Sequence, residues 1–567
     1  MLQGIRKHVK ISKSAILAAF LITGCYLLGI VAKSKLIETS RVSLSKSRVI
    51  ITFFLVSILL AIFFSILFSL LYEKTQNKVS IEKSDTIIDF HSKKMFLSIF
   101  ALMLLCWIPL LIMFFPGNFD VDTYWQLPQI YGKAALGDHH PFFDTLVFGL
   151  FWKIGDVLGS NSWSLLLYAI FQYIATAGAF TLAICYVHQH SQNNWIPRIM
   201  WAFFAFYPAI PQFSMSVAKD ALHDWIFVIY FIFYLEILKT HGKSLSRFRF
   251  VALMILISFF CALTKKTGIY FILVSCFVLL LTLKQGRKYL TAIILALLIL
   301  YNGFWNHIVL QSFNVIPGNE REKYSLPSQQ VALYMKWNGS EMTSSDWRIL
   351  KSVYNTPEKL AESYQPISAD NTKIYWKENT SKLDKIRFFK WYIKTGMKDP
   401  KTFLLAQAAL NEPLLCIDDR IGRSGTRIYY EGVALRNRMP LEQTALYSAY
   451  PSTTKKDMHD IFKTAYRNDK HEKIHQIYIN NYLKITQYLK PLFSKVLFTT
   501  WVPILLLCYG FYCRKKNLVI SLIPSLLNLG ILAVGPVVFS RYVMLSVYIT
   551  PIILALPWIE GIGVNSD

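Results

Sequence analysis

The chain has 567 residues, 54% of them hydrophobic and only 17% charged, and the charge is one-sided, with 60 Lys and Arg against 34 Asp and Glu. A soluble globular chain devotes about a quarter of its residues to charge; the apolar content excludes disorder, and eight scattered cysteines exclude a disulfide scaffold. A basic balance alone admits a nucleic-acid binder, but such proteins are not this apolar.

Runs near 15–32, 49–72, 95–115, 163–187, 198–213, 221–238, 249–265, 268–283, 289–308, 493–512, 518–537 and 542–559 approach the length of about 20 apolar residues that crosses a bilayer. They predict an all-α polytopic membrane protein with about twelve transmembrane helices. A shorter apolar piece, 141–158, carries Lys153 and Asp156 and either crosses or lies at the interface. Cytoplasmic loops are enriched in Lys and Arg. If 141–158 does not cross, the N-terminus (Arg6, Lys7, Lys10, Lys13) and loops 239–249, 284–288 and 514–516 all face the cytoplasm, with both termini inside. Loop 33–48 is the exception, since it is basic yet falls outside. The first apolar run is long and lacks a small-residue cleavage site, so it reads as an uncleaved span.

Residues 1–94 thus hold two spans and a cytoplasmic loop, 95–310 a transmembrane core with a first outer loop at 116–162, and 491–567 the last three spans. Between them, 311–490 contains 19 of the 34 acidic residues and reads as an extracytoplasmic soluble domain, mainly helical or α/β. Helices are expected over 383–410, interrupted at Pro400, and over 457–490, with a loop at 418–430 (DDRIGRSGTRIYY). Cys416 is the only cysteine of this stretch, which fits a bacterial surface.

Carboxylates are scarce in 95–310, and an ionisable group in or beside a bilayer is costly, so their placement is informative. Of eight, only Glu236 lies near a cytoplasmic end. Asp120 and Asp122, in FPGNFDVDTYWQ (115–126), share a face if that segment is extended; the alternative is a solvated loop in an aromatic belt. GDHHPFFD (137–144) offers Asp138, His139 and His140, residue types that bind metals, though adjacent residues seldom reach one ion. A histidine cap on the helix opened by Pro141 is the blander account. In PAIPQFSMSVAKDALHDW (208–225), Lys219 and Asp220 open a helix, with Asp224 one turn further on the same face. The macrodipole explains Asp220 as a capping residue but not Asp224 as well. Lys265 and Lys266 in TKKTGIY (264–270), and Arg541 and Tyr542 in FSRYVML (539–545), face the same side in this topology. The lysines are long enough to snorkel, but Arg541 is the only charge between 517 and 559.

Carboxylates and cations at one membrane face suit a substrate with a hydroxyl to deprotonate and a phosphate to hold, such as a lipid-linked sugar phosphate. A single base and a single displacement imply inversion, unlike the retaining two-carboxylate arrangement. In these motifs the chain resembles the GT-C class of polyprenol-dependent membrane glycosyltransferases, which includes protein O-mannosyltransferases and aminoarabinose transferases. Members carry an acidic residue or pair on the first long outer loop, where Asp120 and Asp122 stand, and HHPFFDTLVFGLFWKIG (139–155) is similar to the segment that follows. Lys219 and Asp220, TKKTGIY, SLPSQQVALYM (325–335) and FSRYVML match further short motifs of bacterial multi-pass proteins of this class. The resemblance spans most of 95–560; Lys-Lys-Thr replaces an Arg-Asn type of turn, and two spans precede the expected first helix.

The resemblance implies catalysis by Asp120 and Asp122. Lys219, Asp220, Asp224, His139, His140, Lys265, Lys266, Arg541 and Tyr542 would bind substrate. If a divalent ion (Mg or Mn) takes part, Asp120 and Asp220 are its candidate ligands. The implied partners are membrane lipid, a polyprenyl-phosphate sugar donor and a cell-envelope glycan, lipid or protein acceptor, at a bacterial plasma membrane and with no nucleic acid. The rival readings are a transporter or flippase for a lipid-linked or acidic solute, and a surface scaffold.

Overall fold

Helices make up nearly all of the regular structure in a computed structural model that describes residues 11–37, 46–76, 92–191, 193–420, 422, 424–430 and 454–564. In chain order, α1 is Lys13–Ala32, α2 Lys46–Gln76 and α3 Lys93–Met113. After α3 come α4 Val121–Ile130, α5 Phe142–Val157, α6 Asn161–His190, α7 Trp195–Phe206, α8 Ala209–Ser214 and α9 Lys219–Lys239. Next are α10 Phe248–Thr264, α11 Gly268–Thr282 and α12 Arg287–Ser312. The following stretch holds α13 Ser325–Asn338, α14 Ser344–Val353, α15 Lys382–Lys398, α16 Pro400–Leu410, α17 Lys455–Phe462 and α18 Asp469–Tyr488. The chain ends with α19 Leu497–Cys513, α20 Lys516–Val534 and α21 Ser540–Trp558.

Local sequence sets several of these boundaries. Ser12, Ser92 and Ser160 cap α1, α3 and α6 by accepting hydrogen bonds from first-turn amides. Tyr207, which precedes Pro208, is extended and ends α7, since the residue before proline is driven out of the helical region. The apolar run at 198–213 is therefore two helices of 12 and 6 residues rather than one continuous helix. Among the described residues, eight helices are long and apolar enough to cross a membrane: α1, α2, α3, α6, α9, α12, α20 and α21. The expected runs at 249–265, 268–283 and 493–512 form α10, α11 and α19, of 17 residues or fewer. That is about 25 Å of helix against a hydrocarbon core of about 30 Å. The piece at 141–158 becomes the 16-residue α5.

Burial ranks the long helices. In α9 and α21, 89% of the apolar window is buried, against 11% in α3 and α12 and 22% in α2. A helix apolar all round belongs at the centre of a bundle or in lipid; α9 and α21 take the centre, and α2, α3 and α12 present their apolar sides outward. The main core runs through all of these helices, while residues 324–409 gather around a second core of their own that reaches back to Ala32 on α1. The region 311–490 does not share one core, because Leu414, Ile428, Tyr430, Ile479 and Tyr482 belong to the main core and Met458, Ile461, Phe462 and Ala465 to a third.

The bundle has polar ends of opposite character. At one end Gly242 packs on Gln285 and Gly286, Gly561 packs on Lys239, and Asn517 donates to the Gly561 carbonyl at 2.8 Å, so the three basic loops lie together. The start of α9, the end of α10 and the start of α21 meet at the other end, where the carboxylates are. Lys33 falls at this acidic end and has a counter-charge there, Asp418, at 3.5 Å.

Candidate functional site

Two residues of parallel pairing assemble the site. Strand β1 (Asn118–Phe119) pairs with β3 (Ser216–Val217), Asn118 opposite Ser216 and Phe119 opposite Val217. Each strand runs directly into a helix, so the register sets the start of α4, with Asp120 and Asp122, beside the start of α9, with Lys219 and Asp220. The Asp120 amide and the Thr123 hydroxyl both donate to the Val217 carbonyl, at 3.2 and 2.6 Å. Gly117 makes the approach feasible: its φ is +140° and a Cβ there would stand 3.0 Å from the Leu165 carbonyl. Asp120 and Asp122 do not sit on an extended loop with a shared face. Asp120 precedes α4 as its N-cap residue and Asp122 lies in the first turn.

Arg541, in the first turn of α21, ties the carboxylates together. Its guanidinium bonds Asp120, reaches Asp122 at 3.1 Å and lies 3.8 Å from Asp220. Lys219 donates to Asp122 at 2.7 Å and approaches His140 Nδ1 at 2.9 Å. Lys265 pairs with Asp220 at 2.8 Å. Three carboxylates thus meet three cations in a patch that is nearly buried, and the formal charges cancel. Burial alone would raise the Asp122 pKa, but Arg541, Lys219 and His140 hold it well below the usual carboxylate range. Burial, with Lys219 adding to it, drives the His140 pKa well down despite Asp122. Tyr542 accepts a hydrogen bond from Arg541 at 3.0 Å, and the guanidinium carbon lies 4.9 Å from its ring centre.

Not every expected residue joins. His139 is exposed, and its ring packs against that of His140. Lys266 pairs with Asp138 at 2.9 Å, beside a second short pairing of β2 (Gly137–Asp138) with β4 (Ile316–Pro317). Neither histidine caps α5; the Asp138 carboxylate does, accepting from the Phe142 amide at 3.1 Å. Asp224 is fully buried one turn below Asp220, and neither of its oxygens has a hydrogen-bond partner among the described residues. The same holds for Asp144, whose pKa burial pushes well up.

A divalent ion does not suit this donor set. Asp120 and Asp220, its candidate ligands, are each engaged by a cation, and among the described residues no group of three His, Cys, Asp or Glu is placed to hold a metal.

One participant has no signal in the sequence. Tyr430 closes the 418–430 loop and donates its hydroxyl to Asp120 at 3.1 Å. The loop is held by Ile428 donating to the Phe493 carbonyl at 2.7 Å and Lys495 donating to the Thr426 carbonyl at 2.9 Å. The Gln212 side chain binds the Tyr430 carbonyl. A cleft lined by Asp120, Tyr429, Tyr430, Phe539, Ser540 and Arg541 opens beside this contact, so Asp120 is the carboxylate that faces it. The aromatic pair ending a Gly-bearing loop is the nearest thing to a clue, and nothing in its spacing points to a carboxylate some 310 residues earlier.

Fold and site together define a helical protein of membrane-spanning character with a buried ion cluster at one end of its bundle. The chain belongs to a family of unknown function (DUF6020), whose model matches residues 127–561. That match includes His140, Lys219, Asp220, Lys265, Tyr430 and Arg541 but begins after Asp120 and Asp122. No curated protein and no solved structure matches the chain.

Proposed function

We propose that the chain is an inverting GT-C-type glycosyltransferase that moves a sugar from a polyprenyl-phosphate donor to a hydroxyl of a cell-envelope acceptor on the outer face of the membrane. The observation that carries this reading is the convergence of Asp120, Asp122 and Asp220 with Lys219, Lys265 and Arg541 at one end of the bundle. The three basic loops lie at the opposite end. On the positive-inside rule those loops face the cytoplasm and the cluster faces outward. In this topology all twelve apolar segments cross, the four shorter ones included, and both termini are cytoplasmic.

Asp120, at the cleft, is the general base. It takes the proton of the acceptor hydroxyl as that oxygen attacks the anomeric carbon. The carbon–oxygen bond to phosphate breaks on the opposite face, and the electron pair leaves with the polyprenyl phosphate. Arg541, with Lys219 and Lys265 beside it, stabilises the charge developing on that phosphate. The cations are held in place by the carboxylates before substrate arrives, so little reorganisation is needed at the moment of reaction. Asp122 keeps Lys219 and Arg541 in position, and one displacement inverts the anomeric centre.

The test uses purified protein in detergent, radiolabelled undecaprenyl-phosphate sugars and a cell-wall extract. Sugar transfer that disappears in Asp120→Asn and Arg541→Ala supports the reading. Transfer undiminished in Asp120→Asn, Asp122→Asn and Asp220→Asn overturns the site. Solute counter-transport in liposomes without sugar transfer overturns the reaction.

A further inference from the structure

The helices α15 and α16 bear a surface that a water-facing domain does not need. On α15, Phe388, Trp391 and Thr395 turn inward to the second core. The outward side exposes Leu383, Ile386, Ile393 and Met397, the last of them 79% exposed. Their spacing of three, seven and four residues places them along one stripe of the helix. Exposed cations accompany that stripe: Lys382, Arg387, Lys390, Lys394 and Lys398, with Lys401 following on α16. The acidic residues of the segment are taken up locally. Asp384 accepts from the Ser381 hydroxyl at 2.6 Å and lies 3.5 Å from Arg387, and Asp399 caps α16, so the remaining lysines leave the outward charge positive.

The position of this face is fixed by what α16 rests on. Gln407 and Asn411 both donate to the Ala533 carbonyl at 2.8 Å, near the end of the apolar helix α20. The second core to which α16 contributes reaches Ala32 at the end of α1. From Gln407 back to Pro400 is about 10 Å along the helix axis, so the joint with α15 lies within about 10 Å of the end of α20. Leu404, 57% exposed, continues the apolar stripe toward those spans. A helix with apolar and cationic residues on its free side, held at the edge of a bilayer, has the pattern of one lying in the headgroup layer.

We propose that the exposed face of α15, continued by Leu404, lies in the interface of the membrane and binds anionic glycerophospholipid, with its apolar residues among the upper acyl segments and its lysines on headgroup phosphates. Residues 311–410 then form a layer on the bilayer surface rather than a domain projecting into water. The inference does not depend on which reaction the ion cluster performs.

The experiment places a single bimane label at Ile393→Cys or Met397→Cys, in a background with Cys25, Cys106 and Cys513 changed to Ala, since these three are the partly accessible cysteines. The full chain is reconstituted in nanodiscs containing brominated or ordinary acyl chains, with either phosphatidylglycerol or phosphatidylcholine headgroups. A label at Leu59→Cys, 67% exposed on α2, gives the reference for a lipid-facing side chain. In phosphatidylglycerol, brominated chains are expected to quench both α15 labels at least half as strongly as the reference. Reversing Lys390, Lys394 and Lys398 to Glu is expected to lower that quenching at least twofold. Labels quenched by aqueous iodide and not by brominated lipid overturn the proposal, as does cross-linking of Met397→Cys to a second copy. Equal quenching in phosphatidylcholine, unaffected by charge reversal, overturns the anionic preference.

Discussion

Lys219 and Asp122 stand 97 residues apart in the chain and meet at 2.7 Å, with His140 2.9 Å from the same ammonium group. The pair is largely buried, its side chains retaining 17% and 13% of their exposure. Removing Lys219 leaves Asp122 with Arg541 alone as a counter-charge in a poor solvent, and that cation is shared with Asp120 and Asp220. Lys219→Met is expected to destabilise the protein by about 3 kcal/mol, read as a fall in melting temperature in detergent. Lys219→Met with Asp122→Asn, which removes both charges, is expected to recover more than half of that loss. A double variant as unstable as the sum of the singles would show that the two residues are not coupled.

His140 gives a pH dependence with a defined sign. Its folded pKa is depressed by burial and by Lys219. Below the unfolded value of about 6.5 the unfolded chain therefore takes up a proton that the folded chain refuses. Stability falls as pH drops from 6.5, at up to about 1.4 kcal/mol per pH unit from this residue. Asp122 acts lower down. Its folded pKa is also depressed, so its contribution is present above the unfolded value of about 3.9 and is lost only as pH falls through the folded one. Melting temperatures between pH 7.5 and 5 should thus decline less steeply in His140→Gln than in the unaltered chain. Parallel slopes would remove His140 as the cause.

How far this site was legible from sequence differs residue by residue. The scarcity of carboxylates marked Asp120, Asp122 and Asp220, and Arg541 stood out as the lone charge of an otherwise apolar stretch. Those signals survive because the cost of charge near lipid is a property of single residues. Pairing is not. That Lys265 takes Asp220 while its neighbour Lys266 takes Asp138 depends on how α10 turns into α11, which composition does not encode. The β1–β3 register is illegible because two-residue strands have no periodicity to read, and Tyr430 because its partner lies 310 residues away. The broken run at 198–213 could have been anticipated from Pro208, which sits within it.

Arg541 reaches three carboxylates through one planar fork, a geometry lysine cannot reproduce. If the cluster catalyses sugar transfer, Arg541→Lys should keep the protein folded yet lower kcat/KM by on the order of 100-fold, the scale of losing one preorganised stabiliser of developing charge. The check is transfer kinetics alongside a melting curve. Full activity in Arg541→Lys would mean that charge alone suffices there and that the fork is incidental.

Tyr430→Phe separates positioning from chemistry at Asp120. The hydroxyl donates to Asp120 at 3.1 Å. Losing a hydrogen bond to a charged group costs about 1.5–3 kcal/mol. The variant is expected to lower kcat about 10-fold with KM little changed, because Asp120 loses the donor that orients it. A lowered melting temperature with kcat unchanged would assign Tyr430 to packing.

Arg467 supports the approach to Asp120 from behind. Its guanidinium, almost fully buried, donates to the carbonyls of Phe115 at 3.2 Å and of Phe114 and Gly117 at 3.4 Å, and pairs with Glu472 at 3.2 Å. These carbonyls belong to the turn where α3 ends, and that turn leads straight into β1 and Asp120. Arg467→Ala therefore leaves helix-end acceptors and the Glu472 carboxylate short of donors, at a cost of about 3–5 kcal/mol by analogy with breaking a buried ion pair. The β1 register should loosen with it, so protection of the Phe119 and Asp120 amides against hydrogen exchange is expected to fall in Arg467→Ala, while amides in the middle of α9 stay protected. Uniform loss of protection across α9 would mean that Arg467 supports the bundle as a whole rather than this turn.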